Sequence, residues 1–100
     1  MHFLLLLLAL QSSPGTSDAA AKYTVALSWR LSVAASPKNQ QVWRSKGCTG
    51  SYVKRATVSN TTVTYDDPAL AGETYCYYVT VTNDDHEVSG PSDVATAVIP

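Results

Sequence analysis

The chain has 100 residues, enough for one small domain, with 7 Lys and Arg against 8 Asp and Glu and a net charge of −1. A balance this close to neutral argues against a nucleic acid or an anionic membrane held by electrostatics. Threonine, valine and serine dominate after the first residues and long helix-forming runs are missing, which points to an all-β chain.

Met1–Leu10 is a leucine block, far short of the roughly 20 residues that a membrane-spanning helix needs. It suits the apolar core of a secretory signal, and Ala19-Ala20-Ala21 supplies a cleavage pattern. Against that reading, no Lys or Arg precedes the block, and Gln11–Ala21 is long for the segment before a cleavage point. The other reading is the truncated end of a longer protein or a misplaced start codon. Under either reading Met1–Leu10 is expected outside the fold. Residues 1–21 are read as leader plus linker, and residues 22–100 as the domain.

Tyr23–Leu31 alternates, with Val25, Leu27 and Trp29 on one face, and reads as a strand. Val33–Asn39, with Pro37, reads as a loop. Gln40–Arg44 is a strand with Val42 inward and Trp43 outward. Lys46–Gly50 is a turn, and Tyr52–Ala56 is a short strand whose Lys54 and Arg55 suit a sheet edge. Thr61–Tyr65 is a further strand, expected to stop at Asp66-Asp67-Pro68 because proline lacks the N–H of a ladder. Thr74–Thr82 is the central strand, with Tyr75, Tyr77, Val79 and Val81 packed and Cys76, Tyr78, Thr80 and Thr82 opposite. Asn83–Glu87 is a polar hairpin loop. Val94–Ile99 closes the domain, and Pro100 ends it or begins a linker. Short strands punctuated by turns about every 8–12 residues indicate a sandwich or barrel.

Several residue groups have an ordered match. These are Val25-x-Leu27-x-Trp29, Val42-Trp43-Arg44, Tyr65-Asp66, Ala71-Gly72-Glu73-Thr74-Tyr75-x-Tyr77-x-Val79, Ser89-Gly90-Pro91-Ser92 and Val94-x-x-Ala97-x-Ile99-Pro100. Taken in order over Tyr23–Pro100, they resemble a fibronectin type III domain, closest to the bacterial secreted form. The resemblance implies an antiparallel immunoglobulin-like sandwich of seven strands, or six if strand A is absent. Strands A, B and E would form one sheet and C, C′, F and G the other. It makes Trp29 the core tryptophan of strand B. Tyr75 becomes the tyrosine-corner residue, its hydroxyl bonding back to the preceding backbone. Val42, Tyr77 and Val79 complete the expected core. An antibody-type domain fits worse, since strand B carries no cysteine and Cys48 follows strand C. No proline-rich strand A is visible before Lys22. Cleavage after Ala21 would leave strand B as an open edge, so strand A, if any, is drawn from Ser12–Ala20.

In that topology F runs antiparallel to C, so Cys48 and Cys76 are expected to be neighbours bridged across the outer face of their sheet. Such a bridge closes a loop of about 29 residues and adds roughly 3–4 kcal/mol. It implies an oxidising compartment, extracellular or periplasmic. The alternative is two free thiols in a cytosolic domain. Trp43 and Tyr78 should lie side by side on the outer face. They form either a platform for a sugar or protein or a cover for the disulfide and the stems of Arg44 and Lys54. Asp84, Asp85, His86 and Glu87 lack calcium-loop spacing and read as a solvated loop. Asp66 and Asp67 read as a turn before proline. Asn60-Thr61-Thr62 matches a glycosylation sequon, relevant only in a eukaryotic secretory path.

No catalytic constellation, metal site or cofactor is expected. The function implied by the resemblance is a non-catalytic extracellular spacer or adhesion module. The alternatives are a carbohydrate- or protein-binding domain using Trp43 and Tyr78, and an accessory domain of a secreted hydrolase. The expected partner is a protein or polysaccharide, with no membrane span, and the chain is a monomer or one unit of a multidomain protein.

Overall fold

The computed structural model describes residues 6–12, 22–31 and 37–100. These form an all-β sandwich of two antiparallel sheets. The strands are β1 (Leu6–Ser12), β2 (Lys22–Trp29), β3 (Pro37–Lys46), β4 (Val53–Ser59), β5 (Thr64–Leu70), β6 (Thr74–Asn83) and β7 (Ala95–Val98). One sheet has the order β1-β2-β5 and the other β4-β3-β6-β7. No described helix is long and apolar enough to cross a membrane.

Alternation sets the inner faces. Val25, Leu27 and Trp29 from β2 meet Val42 from β3 and Tyr75, Tyr77 and Val79 from β6, and all are buried. Ala69, Ala97 and Ile99 complete the core from the flanking strands. The longest ladder joins β3 to β6, from Pro37 opposite Asn83 to Lys46 opposite Tyr75. β6 therefore lies between β3 and β7 with both edges paired, which suits its aromatic and β-branched composition.

Several boundaries differ from the sequence reading. The leucine run expected outside the fold supplies β1, which pairs along β2 from Leu6 opposite Trp29 to Ser12 opposite Tyr23. An edge position needs only one partner strand, and the otherwise open side of β2 offers it a full row of backbone groups. Strand A is thus not drawn from Ser12–Ala20; only Ser12 of that stretch is within β1. The proposed cleavage pattern at Ala19–Ala21 and the linker after Ser12 lie outside the described residues, as does the loop reading at 33–36. Pro37–Asn39 belongs to β3 rather than to that loop.

The Asp66-Asp67-Pro68 segment does not end its strand. β5 begins later, at Thr64, and runs through Pro68 to Leu70. β5 is an edge strand, where a residue without an N–H can be accommodated on the unpaired side. Between β6 and β7, Ser89-Gly90-Pro91-Ser92 replaces a regular ladder. The backbone N–H groups of Val79 and Val81 donate to the hydroxyls of Ser92 and Ser89, each at 2.9 Å. The two serines in turn donate their own N–H groups to the carbonyls of Val79 and Val81. Serine hydroxyls thus satisfy β6 where proline interrupts strand geometry.

Candidate functional site: two faces of the larger sheet

Strands β3 and β6 carry different chemistry on their two faces. On the outer face Trp43 lies opposite Tyr78 in the ladder. Their rings stack with centroids 6.1 Å apart and planes 28° apart. Tyr52, just before β4, extends the row, its ring centroid 4.4 Å from that of Tyr78. All three rings are half-buried. Trp43 Nε1 donates to Thr80 Oγ1 at 3.0 Å, and that hydroxyl donates to Gln41 Oε1 at 2.8 Å. Burial, and next the neighbouring Tyr52, raise the Tyr78 phenol above its ordinary pKa. The sequence reading singled out Trp43 and Tyr78 but not Tyr52. The available signal was alternation, because Tyr52 shares a side with Lys54, the cross-strand partner of Trp43. Arg44 does not lie beneath this row; it is on the opposite face.

Cys48 and Cys76 are joined, with Cα atoms 5.1 Å apart. Cys76 follows Tyr75 on β6, so its side chain falls on the face opposite the core tyrosines. Gly47 and Cys48 both adopt positive φ, at 72° and 53°. That turn brings the Gly47 N–H within 2.7 Å of the Thr74 carbonyl and so sets the end of β3 beside the start of β6.

The inner face ends in a charged cluster. Asp67 on β5 is fully buried. Its Oδ2 accepts from Arg44 Nη1 at 2.8 Å and from the Tyr77 hydroxyl at 2.7 Å, and its Oδ1 accepts from Arg55 Nε at 2.9 Å. A β-bulge aims Arg55 here. Val42 pairs with Ala56 but Trp43 pairs with Lys54, leaving Arg55 as the extra residue. Asp67 is therefore not the turn residue expected from the sequence, and Arg55 is more than an edge charge. Three donors compensate the desolvated carboxylate, the condition under which a buried charge persists. Burial pulls the Arg44 guanidinium down, but the charge of Asp67, the hydrogen bond to it and the nearby Tyr77 together carry the net shift upward. The Tyr77 phenol is raised, first by burial and then by its bond to Asp67.

Tyr75 lies beside this cluster, with the Arg44 guanidinium 4.6 Å above its ring. Its hydroxyl accepts from the Leu70 N–H at 3.3 Å. A cavity of about 270 Å³ opens here, lined by Arg44, Lys46, Arg55, Pro68, Leu70 and Tyr75 among others.

Asp84–Glu87 forms a hairpin organised by Asn83, whose Oδ1 accepts from the N–H groups of Asp85 and Glu87. Among the described residues, no group of three or more His, Cys, Asp or Glu side chains is placed to hold a metal ion.

Solved structures share this fold. Pectate lyase PelI from Erwinia chrysanthemi is similar over 97% of this chain at 22% identity, with a TM-score of 0.68. Pectate lyase Pel3 from Pectobacterium carotovorum is similar over 97% at 19% identity, also with a TM-score of 0.68. A beta-1,2-glucanase from Parabacteroides distasonis gives 97%, 17% and 0.65. The match covers only 27% of each of those two lyase chains and 13% of the glucanase. No family model and no curated protein matches the sequence.

Proposed function

We propose that this chain is a non-catalytic, exported module of the fibronectin type III kind, accessory to proteins that act on polysaccharides. It meets the polymer through the Tyr52–Tyr78–Trp43 row. The observation that carries this reading is the row itself: three neighbouring rings on the outer face of a disulfide-braced sheet. Stacked rings offer sugar C–H faces a flat apolar surface at little cost in side-chain entropy. The sheet order supports the fibronectin type III assignment, since it is the order the resemblance implies. The solved neighbours favour polysaccharide over protein as the partner, because they are two pectate lyases and a glucanase. The disulfide supports export.

The test is retention of the chain on insoluble pectate and β-1,2-glucan. Retention is expected, and Trp43→Ala and Tyr52→Ala should each weaken it about tenfold, the equivalent of roughly 1.4 kcal/mol. Absence of retention, or retention of both variants equal to that of the parent chain, overturns the polysaccharide reading. The competing reading is a plain spacer. It is favoured by the hydrogen bond that already commits the Trp43 indole N–H to Thr80, and it expects no retention at all.

A further inference from the structure

We propose that the cavity between Arg44, Lys46 and Arg55 is a binding site for the carboxylate of an acidic sugar, a uronate unit of the polymer. Three of the chain's 7 cationic side chains line this one cavity. Among the described residues their only paired acid is Asp67, which faces both arginines. Three positive groups against one negative group leave an excess of two positive charges at its walls. Asp67 itself is fully buried and its oxygens are already engaged by Arg44, Arg55 and Tyr77. It holds the arginines in place without being open to a ligand.

The donors left over are those a carboxylate needs. Arg55 is anchored through Nε, so its two terminal nitrogens, which make no hydrogen bond among the described residues, remain for a second partner. Among the described residues the Lys46 ammonium has no ion-pair or hydrogen-bond partner. A guanidinium fixed through one nitrogen is pre-organised for planar recognition by the others, whereas an ammonium adds a mobile point charge.

The remaining lining is apolar. Pro68 and Leu70 are exposed, and Tyr75 lies under Arg44. One charged side and one apolar side match a pyranose with a carboxylate at one edge and C–H bonds on its face. The volume, about 270 Å³, is near the lower limit for small-molecule pockets and fits one sugar unit.

The sugar part of this assignment rests on the polysaccharide reading above; the anion site rests on the cavity alone. The test is calorimetric titration of the whole chain with trigalacturonate, its methyl ester, and a glutamate oligopeptide of equal charge. The acid should bind, and the ester should bind at least tenfold more weakly. Lys46→Glu, a change at an exposed residue, should abolish binding, while Lys46→Gln should weaken it severalfold. Added salt should weaken it as well. Equal affinity for acid and ester, or for the unchanged chain and Lys46→Glu, overturns the site. Equal affinity for the glutamate peptide overturns the sugar assignment. If aromatic-row variants stay on insoluble polymer as well as the parent while Lys46→Glu loses trigalacturonate, the row fails and the pocket stands.

Discussion

The two ends of the core are closed in different ways. At one end Trp29 Nε1 donates to Gln40 Oε1 at 2.8 Å, and Gln40 Nε2 donates to the carbonyls of Ser59 and Thr62 at 2.9 and 2.7 Å. At the other, Asp67 is gripped by Arg44, Arg55 and Tyr77. Gln40 and Arg44 stand four residues apart on β3, so they share the inner face that carries Val42. One end is neutral and locked within the chain. The other carries charge, keeps donors to spare, and opens into a cavity. A neutral amide spends its hydrogen bonds where it sits. A buried carboxylate must gather cations, and cations gathered around one acid leave an outward-facing excess. Closing a sandwich with charge thus creates a surface able to attract ligands, and closing it with an amide does not.

The largest effect should follow Asp67→Ala. It strips the partner from two guanidiniums whose side chains are only 19% and 32% exposed, and from a buried phenol. Breaking a buried pair from one side costs about 3–5 kcal/mol. Denaturant unfolding should show a loss of this size, and a loss under about 1 kcal/mol would mean that the cluster is not a structural lock. Tyr77→Phe is milder, since Asp67 keeps both arginines. The missing bond to a charged group should cost about 1.5–3 kcal/mol.

That variant also carries a pH signature. The Tyr77 pKa is raised above its ordinary 10.0 by burial and then by Asp67, so the folded state holds its proton more tightly than the unfolded chain. Its contribution is complete below pH 10. Above that the unfolded chain ionises first, and stability falls by up to about 1.4 kcal/mol per pH unit. Melting followed from pH 9 to 11 should show a steeper decline in the parent than in Tyr77→Phe. Tyr78, also raised, supplies a weaker decline in both. Equal slopes would remove Tyr77 from the alkaline limb.

Alternation carried much of this fold into view. Trp29, Val42, Tyr75, Tyr77 and Val79 all lie inside, and every one sits in a clean period-two run. The disulfide was legible once strand direction was assumed, because only two cysteines exist. The charged end was hidden by local rules. Asp66-Asp67-Pro68 has the composition of a turn, and the preference that proline imposes was overridden by an edge position in a sheet. Arg55 was out of reach because a bulge shifts its side by one residue, and bulges leave no composition mark here. Gln40 and Arg44 were within reach: extending the period from Val42 in both directions puts them on the inner face. The leucine block misled in the other direction, since a run apolar enough for a leader is also apolar enough for a strand.

The smallest effect belongs to the neutral end, and it tests whether neutrality is what makes that end quiet. Gln40→Leu fills similar space but leaves the Trp29 indole N–H and the carbonyls of Ser59 and Thr62 without their partner. An unsatisfied buried group costs about 1–3 kcal/mol, and the two carbonyls flank an exposed turn where water can replace part of the loss. The expected cost is therefore near the lower end of that range, about 1–2 kcal/mol. Gln40→Glu is the sharper variant. Above the ordinary glutamate range its carboxylate would face two carbonyl oxygens with no hydrogen to offer. When protonated it could still donate to one of them. Its unfolding midpoint should accordingly rise on going from pH 7 to pH 4 relative to Gln40→Leu. A midpoint that tracked Gln40→Leu at both pH values would mean the amide's two donated bonds contribute nothing, and the contrast between the ends would then lie in shape rather than in charge.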